Sequence, residues 1–208
     1  MTGDAERELV RRGYDAISCR YRGDDAEAGR YARWLADLQD RLPASGSVLD
    51  VGCGCGVPVA RTLAAAGYQV TGVDISDVQV ERARRLVPAG TFIRADATSA
   101  TFEPASFDAV VCLYSLIHMP LDDQPGLLRR IGCWLRPAGW LLAVAGQRAW
   151  TGTEQNWLGG QNAMWWSQAD ATTYRSWLEQ AGLQVTEQEF VPEGDGGHAL
   201  FWARRPGS

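Results

Sequence analysis

The stretch Val48-Leu49-Asp50-Val51-Gly52-Cys53-Gly54-Cys55-Gly56 decides the fold of this 208-residue chain. Apolar, strand-favouring residues lead into an acid, and glycine then stands at every second position. A helix-like segment follows, from about Val57 to Ala66. The pattern describes a buried strand that ends in a turn where the backbone bends tightly and lies bare. Glycine serves both needs, because it tolerates positive φ and carries no Cβ to hold a ligand away. In an α/β sheet such a turn lies at the carboxyl end of a strand, beside a helix N-terminus that favours ligand anions. A small-molecule site is therefore expected here.

The glycine register narrows the ligand. A dinucleotide fingerprint requires Gly-x-Gly-x-x-Gly. Started at Gly52, that register puts Val57 in place of the third glycine, and started at Gly54 it puts Val59 there. Both fail. No Gly-Lys-Ser/Thr follows, which excludes a triphosphate P-loop. What remains is Asp50-x-Gly52-x-Gly54-x-Gly56, whose acid would repel a pyrophosphate but suits a ligand bearing positive charge. A second strand, Gln69 to Val73, ends in Asp74, about twenty residues past the loop, where an acid accepts both hydroxyls of a ribose. The other reading, an acid capping the next helix, fits Asp77 or Ser76 better. A third strand, Thr91 to Ala95, ends in Asp96-Ala97.

Three acids after three successive strands, with the alternating glycines, resemble the class I S-adenosylmethionine (SAM) dependent methyltransferases, of the small-molecule, UbiE-like type. The resemblance spans roughly Tyr14 to Ala203. It implies an α/β, Rossmann-like fold with a seven-stranded, mostly parallel sheet in the order 3-2-1-4-5-7-6, helices on both faces and an N-terminal helical lid. It also implies a cofactor site made by Asp50, Gly52, Cys53, Gly54, Asp74, Ile75, Asp96, Ala97 and Leu113. In that site Asp74 takes the ribose, Ile75 packs on the adenine face, and Asp96 with the Ala97 N–H holds the adenine edge. Gly13-Tyr14-Asp15-Ala16-Ile17-Ser18-Cys19-Arg20-Tyr21 resembles the Tyr-Asp-x-x-Ala-x-x-Tyr lid of the same family, with Ser18 in place of Ala. Tyr14 and Tyr21 would cover the cofactor and exclude water. The plainer reading of these tyrosines is that they pack the helix on the sheet.

The remaining chain completes one domain. Residues 4–41 read as helical with a break at Gly23-Asp24-Asp25, where an Asp can cap the second helix. Helices are expected from Asp77 to Leu86, Asp123 to Leu135 and Ala171 to Gln180, the last capped by Asp170. Further strands are expected at Phe107–Cys112, Trp140–Ala145, Leu183–Val191 and His198–Ala203. The domain divides into a lid (1–42), a SAM-binding core (47–146), an aromatic substrate-covering insertion (147–168) and a C-terminal helix with a hairpin (169–204). The insertion carries Trp150, Trp157, Met164, Trp165 and Trp166 with no helical or strand period, and reads as a loop of about twenty residues.

Composition sets the limits. The chain is 46% apolar and 22% charged, the balance of a globular protein. A net charge of -5 argues against nucleic acid as the main partner. No run of apolar residues is long enough to span a membrane, and the polar, acidic start has no signal core. The five cysteines, an odd number, suggest free thiols and a cytoplasmic location for a monomer or homodimer. Cys53 and Cys55 lack a second ligand pair, so no metal is expected.

Methyl transfer from a sulfonium is an in-line displacement with a neutral leaving group, so the protein must chiefly place the acceptor atom. A base is needed only where the acceptor loses a proton, as a hydroxyl does. Of the two histidines, His118 follows the fourth strand, in the loop that faces the donor methyl in the methyltransferase fold, and its ordinary pKa suits a base. The expected catalytic residues are His118 and Tyr114, and the expected acceptor wall is Tyr114, His118, Trp157, Met164 and Trp165. The expected acceptor is a small apolar or aromatic metabolite methylated on oxygen or nitrogen. One alternative is a protein of the same fold that binds SAM without transferring its methyl. An NAD oxidoreductase lacks its third glycine, and an RNA methyltransferase lacks Asn/Asp-Pro-Pro-Tyr/Phe after the fourth strand.

Overall fold

The computed structural model describes residues 3–159 and 161–207. Strand β1 (Ser47–Val51) is buried on both faces after its first residue, and it pairs in parallel with β2 (Gln69–Asp74) and β4 (Phe107–Cys112). Parallel pairing continues outward to β3 (Thr91–Arg94) on one side and β5 (Leu135–Gly146) on the other. The hairpin of β8 (Gln184–Glu193) and β9 (Gly196–Arg204) closes the sheet, with β9 antiparallel to β5. The observed order is β3-β2-β1-β4-β5-β9-β8. It is the expected seven-strand order, with the last two numbers raised because β6 and β7 form a separate ribbon.

That ribbon is a correction. Residues 147–168 are not a loop: β6 (Trp150–Glu154) and β7 (Met164–Gln168) pair antiparallel from Trp150↔Gln168 to Glu154↔Met164. Strand period is invisible in Trp-Thr-Gly-Thr-Glu because β6 is exposed along nearly its whole length, while β7 is buried through Met164 and Trp165. Gly160, inside the connection, lies outside the described residues.

Helices α2 (Tyr31–Gln39), α3 (Val59–Ala65) and α4 (Asp77–Leu86) cover one face of the sheet, where Leu35, Leu38, Leu63 and Val80 are buried. Helices α5 (Gln124–Trp134) and α6 (Ala171–Gln180) cover the other with Leu127, Leu128, Ile131 and Tyr174. Two helix starts follow the expected chemistry, Ser76 accepting from the Gln79 N–H and Asp170 from the Thr173 N–H. The break in the N-terminal region is wider than expected, and α2 starts at Tyr31 with Arg30 at its N-cap and no side-chain cap. Asp24 is instead drawn to Arg82 and Arg85 on α4.

Helix α1 (Gly3–Tyr21) lies over the carboxyl ends of the strands, between α4 and the β6–β7 ribbon. Its own sequence favours it: Asp4 and Glu6 stand in the first turn, Arg20 in the last, and Arg11 and Arg12 pair with Glu8. On the ribbon side Val10 and Ile17 are buried with Met164 and Trp165. A Cβ on Gly13 would lie 2.7 Å from Met164 Cε, so a bare backbone lets helix and ribbon meet. On the α4 side, Ser18 Oγ donates to Gln79 Oε1 at 2.7 Å, and Ser76 Oγ donates to Asp15 Oδ1 at 2.5 Å.

Candidate active site

The turn after β1 takes its shape from β2. The N–H groups of Gly52 and Cys53 both donate to Val73 O, and that of Gly54 donates to Asp74 Oδ2 at 2.9 Å. Asp74 Oδ1 accepts the Ser76 N–H at 2.9 Å. Each carboxylate oxygen of Asp74 thus spends one lone pair on backbone and keeps another for a ligand. Burial raises the Asp74 pKa, and the two backbone donors oppose the shift. Gly52 (φ +72) is required by the loop after β4: a Cβ there would lie 2.3 Å from Ser115 Cβ. Gly54 (φ +53) instead faces open space, with Gln79 Nε2 at 3.9 Å as the only neighbour of its missing Cβ.

Asp50 is 3% exposed, and its Oδ2 is buried with no hydrogen-bond partner. Burial, with Asp74 nearby, pushes its pKa up to about 7. An unpartnered buried carboxylate is costly by itself and calls for a cationic ligand.

The main cavity, about 720 Å³, has eleven of the expected residues on its wall: Tyr14, Tyr21, Gly52, Gly54, Asp74, Ile75, Asp96, Ala97, Leu113, Tyr114 and His118. Asp50 and Cys53 line a smaller space of about 420 Å³ that shares Tyr21, Gly52, Gly54, Gln79 and Leu113 with the first. The two are lobes of one site divided at the glycine turn. Asp96 Oδ1 accepts the Thr98 N–H at 2.8 Å, and Oδ2 lies 2.8 Å from Arg7 Nε of α1.

His118 is 6% exposed and bonded at both ring nitrogens. Nδ1 lies 2.9 Å from Trp165 O, which can only accept, so the neutral ring carries its hydrogen on Nδ1. Nε2 therefore accepts from the Tyr14 hydroxyl at 3.0 Å. The ordinary pKa expected of His118 does not hold: burial lowers it to about 4, so the ring is neutral at pH 7 but a weaker base than expected, and burial also holds Tyr14 well above the ordinary tyrosine value. Tyr14 and Tyr21 meet edge to face at 5.2 Å, roofing the cavity from α1. Tyr114 adopts φ +62, accepts from Arg30 Nη1 at 3.1 Å, and sets its ring against His198 at 5.2 Å.

Three expected wall residues lie elsewhere. Trp157, Met164 and Trp165 are buried between the ribbon and α1 and do not line the cavity, because the ribbon turns its apolar face to the lid helix. They support the wall from behind: Trp157 packs edge-on to Tyr14 at 5.4 Å, and Trp165 holds His118 through its carbonyl. Sequence reasoning missed Arg7, Gln79, Thr98 and Ser115, all on the cavity wall. Ser115 had a signal in the close approach that Gly52 permits. Arg7 had none, because its partners are far away in sequence.

Among the described residues no group of three or more His, Cys, Asp or Glu side chains could hold a metal, and no helix is long and apolar enough to cross a membrane. All five cysteines are free.

Comparison with known proteins agrees with this fold. The chain is 42% identical over 127 residues to 27-O-demethylrifamycin SV methyltransferase of Amycolatopsis mediterranei, a match covering 55% of this chain and 46% of that one. The chain thus spans about half the length of the curated relatives it matches. Its fold is similar to that of the 1,6-didemethyltoxoflavin-N1-methyltransferase of Burkholderia thailandensis (TM-score 0.74, 20% identity, covering 99% of this chain and 91% of that one). It is equally similar to that of the 4+2 cyclase SpnF (TM-score 0.74, 20% identity, covering 98% and 97%). A family model described as a methyltransferase domain matches residues 14–188, and the chain belongs to that methyltransferase family.

Proposed function

We propose that the protein is a SAM-dependent methyltransferase that moves a methyl group to oxygen or nitrogen of a small apolar or aromatic metabolite. One observation carries the reading: Asp50, Asp74 and Asp96 stand at the carboxyl ends of β1, β2 and β3 around one two-lobed site, and Asp50 Oδ2 has no partner within the chain. The residues fit the group. Asp50 offers a buried carboxylate to an ammonium, Gly54 leaves a bare backbone with room before it, and Asp74 keeps lone pairs for two hydroxyls. Ile75 and Ala97 supply apolar surface beside Asp96.

Bound there, SAM supplies a methyl on a sulfonium whose departure leaves a neutral thioether. The chain's own work is to bind, to exclude water and to hold a proton. Tyr14 and Tyr21, on α1, close the site from above, so residues 1–42 act as the lid on the core of 47–146. The ribbon within 147–168 covers the acceptor side indirectly, by pressing α1 and His118 into place. His118 Nε2 is the neutral nitrogen acceptor on the wall, and Nδ1, tied to Trp165 O, keeps the Nε2 lone pair turned inward. An acceptor hydroxyl reaches Nε2 by exchanging with the hydroxyl of Tyr14, and the imidazolium that forms keeps its bond to Trp165 O. Tyr114, with its hydroxyl held by Arg30, borders the acceptor.

The test is a screen of phenols, hydroxylated macrolactones and aryl amines with trideuteromethyl SAM, reading both S-adenosylhomocysteine (SAH) and labelled product. The reading predicts stoichiometric SAH and a labelled acceptor. Tight SAH binding with no labelled product in any class would favour a SAM-binding protein that does not transfer the methyl. Turnover of His118→Gln at saturating SAM tests the base, and an unchanged rate removes that role.

A further inference from the structure

We infer that Arg7 is a positioning residue of the cofactor site, a clasp that holds Asp96 and ties the lid helix to the loops on both sides of it. The inference rests on the cofactor reading above and extends it to a residue outside the glycine loop and the three acids. Arg7 stands in the second turn of α1, with its guanidinium on the wall of the main cavity. Nε forms an ion pair with Asp96 Oδ2 at 2.8 Å that is not angled as a hydrogen bond, and Nη2 donates to Asp123 Oδ2 at 2.5 Å. Thr98 Oγ1, 3.4 Å from Nη2, lies in the same cluster, and Nη1 pairs with Asp4 at 3.1 Å. Asp96 lies two residues past the end of β3, whereas Asp123 closes the turn that follows His118 in the loop after β4. One cation therefore spans α1, the loop after β3 and the loop that carries the expected base.

The arrangement does more than fasten a helix. Asp96 and Asp123 are both drawn to this guanidinium, and Arg7, Asp96 and Asp123 side chains are 22%, 26% and 37% exposed. Isolated surface pairs contribute little, but here one guanidinium is fixed by its hydrogen bond to Asp123 and holds Asp96, from another loop, by charge at 2.8 Å. The middle of α1 has its own anchors, Ser18 on Gln79 and Asp15 on Ser76, so loss of Arg7 frees the first turns without releasing the helix. Those first turns, with Val10, bound the cavity beside Asp96 and Thr98. A ligand seated against Asp96 leaves faster when they lift and when its carboxylate is no longer held in one rotamer.

SAH is the probe, with affinity read by calorimetry and dissociation by stopped-flow tryptophan fluorescence. Arg7→Ala is expected to weaken SAH by roughly tenfold, nearly all in the off-rate. Arg7→Lys recovers only part, because a compact ammonium keeps the charge but lacks the planar, extended guanidinium that meets both carboxylates from one place. Added salt speeds dissociation from the wild type and changes the Arg7→Ala off-rate little. Asp123→Asn alters a residue that does not line the main cavity and whose side chain pairs with Arg7. It raises the off-rate in the wild-type background and adds nothing in Arg7→Ala, a non-additivity that a general loosening of the fold would not produce. An Arg7→Ala off-rate equal to the wild type, or an Asp123→Asn effect that adds in full to Arg7→Ala, overturns the clasp. Failure of the wild type itself to bind SAH would sink the cofactor reading instead, whereas tight SAH binding by both wild type and Arg7→Ala sinks the clasp alone.

Discussion

Binding of SAH should release a proton from Asp50 in a way set by its burial. The carboxyl sits 3% exposed with Oδ2 unpartnered, and its pKa rises from 3.8 to about 7 in the ligand-free protein. The folded-state value lies above the unfolded one, so Asp50 favours the fold fully below about pH 4 and loses that contribution as pH rises through about 7. An ammonium beside Oδ2 reverses the balance and returns the group to the ordinary carboxylate range. With a pKa of about 7, Asp50 is protonated to about nine-tenths at pH 6, half at pH 7 and one-tenth at pH 8, and binding releases that fraction. Affinity should then fall about tenfold for each pH unit below 7, up to a full coupling of about 4 kcal/mol for three pKa units. Calorimetric titrations of SAH in phosphate and Tris at pH 6, 7 and 8 measure the released proton from the difference in apparent enthalpy. Asp50→Asn should abolish the pH 6 release while leaving the protein folded. A pH 6 titration with no buffer dependence and no loss of affinity would refute the reasoning, because Asp50 would then be ionised before the ligand arrives.

Three further outcomes follow from the geometry. Nitrogen-15 spectra should show His118 protonated on Nδ1 alone from pH 8 down to about 5; its folded pKa of about 4 lies below the unfolded 6.5, so stability falls as pH drops through that window by about 3 kcal/mol. The urea-denaturation difference between wild type and His118→Gln across pH 7 to 4 checks the sign, and an Nε2–H tautomer would contradict the bond to Trp165. Gly52→Ala should destabilise by about 2–4 kcal/mol in urea, because its Cβ would lie 2.3 Å from Ser115 Cβ at φ +72, and Ser115→Gly in the same chain should recover part of that loss. Gly54→Ala, facing open space, should weaken SAH more than it weakens the fold.

Much of this was legible because it is local. The strand ending in Asp50, the need for bare backbone at Gly52, and the caps at Ser76 and Asp170 each follow from a few adjacent residues. Asp74 was legible as well, since an acid at the end of β2 has few structural tasks that Ser76 does not already perform. What escaped depends on pairs far apart in the chain. The β6–β7 ribbon shows no alternation because only one of its strands is buried, so Trp157, Met164 and Trp165 read as a free aromatic wall when they are the packing behind one. Arg7 looks like any solvated helix charge until Asp96 and Asp123 arrive beside it from other loops. The place of His118 on the cavity wall is legible from its position after β4, but its two hydrogen bonds, which decide its tautomer, come from α1 and β7.

The central claim meets its most direct test in a crystal structure grown with SAH. The account predicts density in both lobes, with an ammonium at Asp50 Oδ2, two hydroxyls on Asp74, and a purine beside Ile75, Asp96 and Ala97. Crystals saturated with SAH whose glycine-turn lobes stay free of it, or that hold it away from Asp50 and Asp74, would contradict the account.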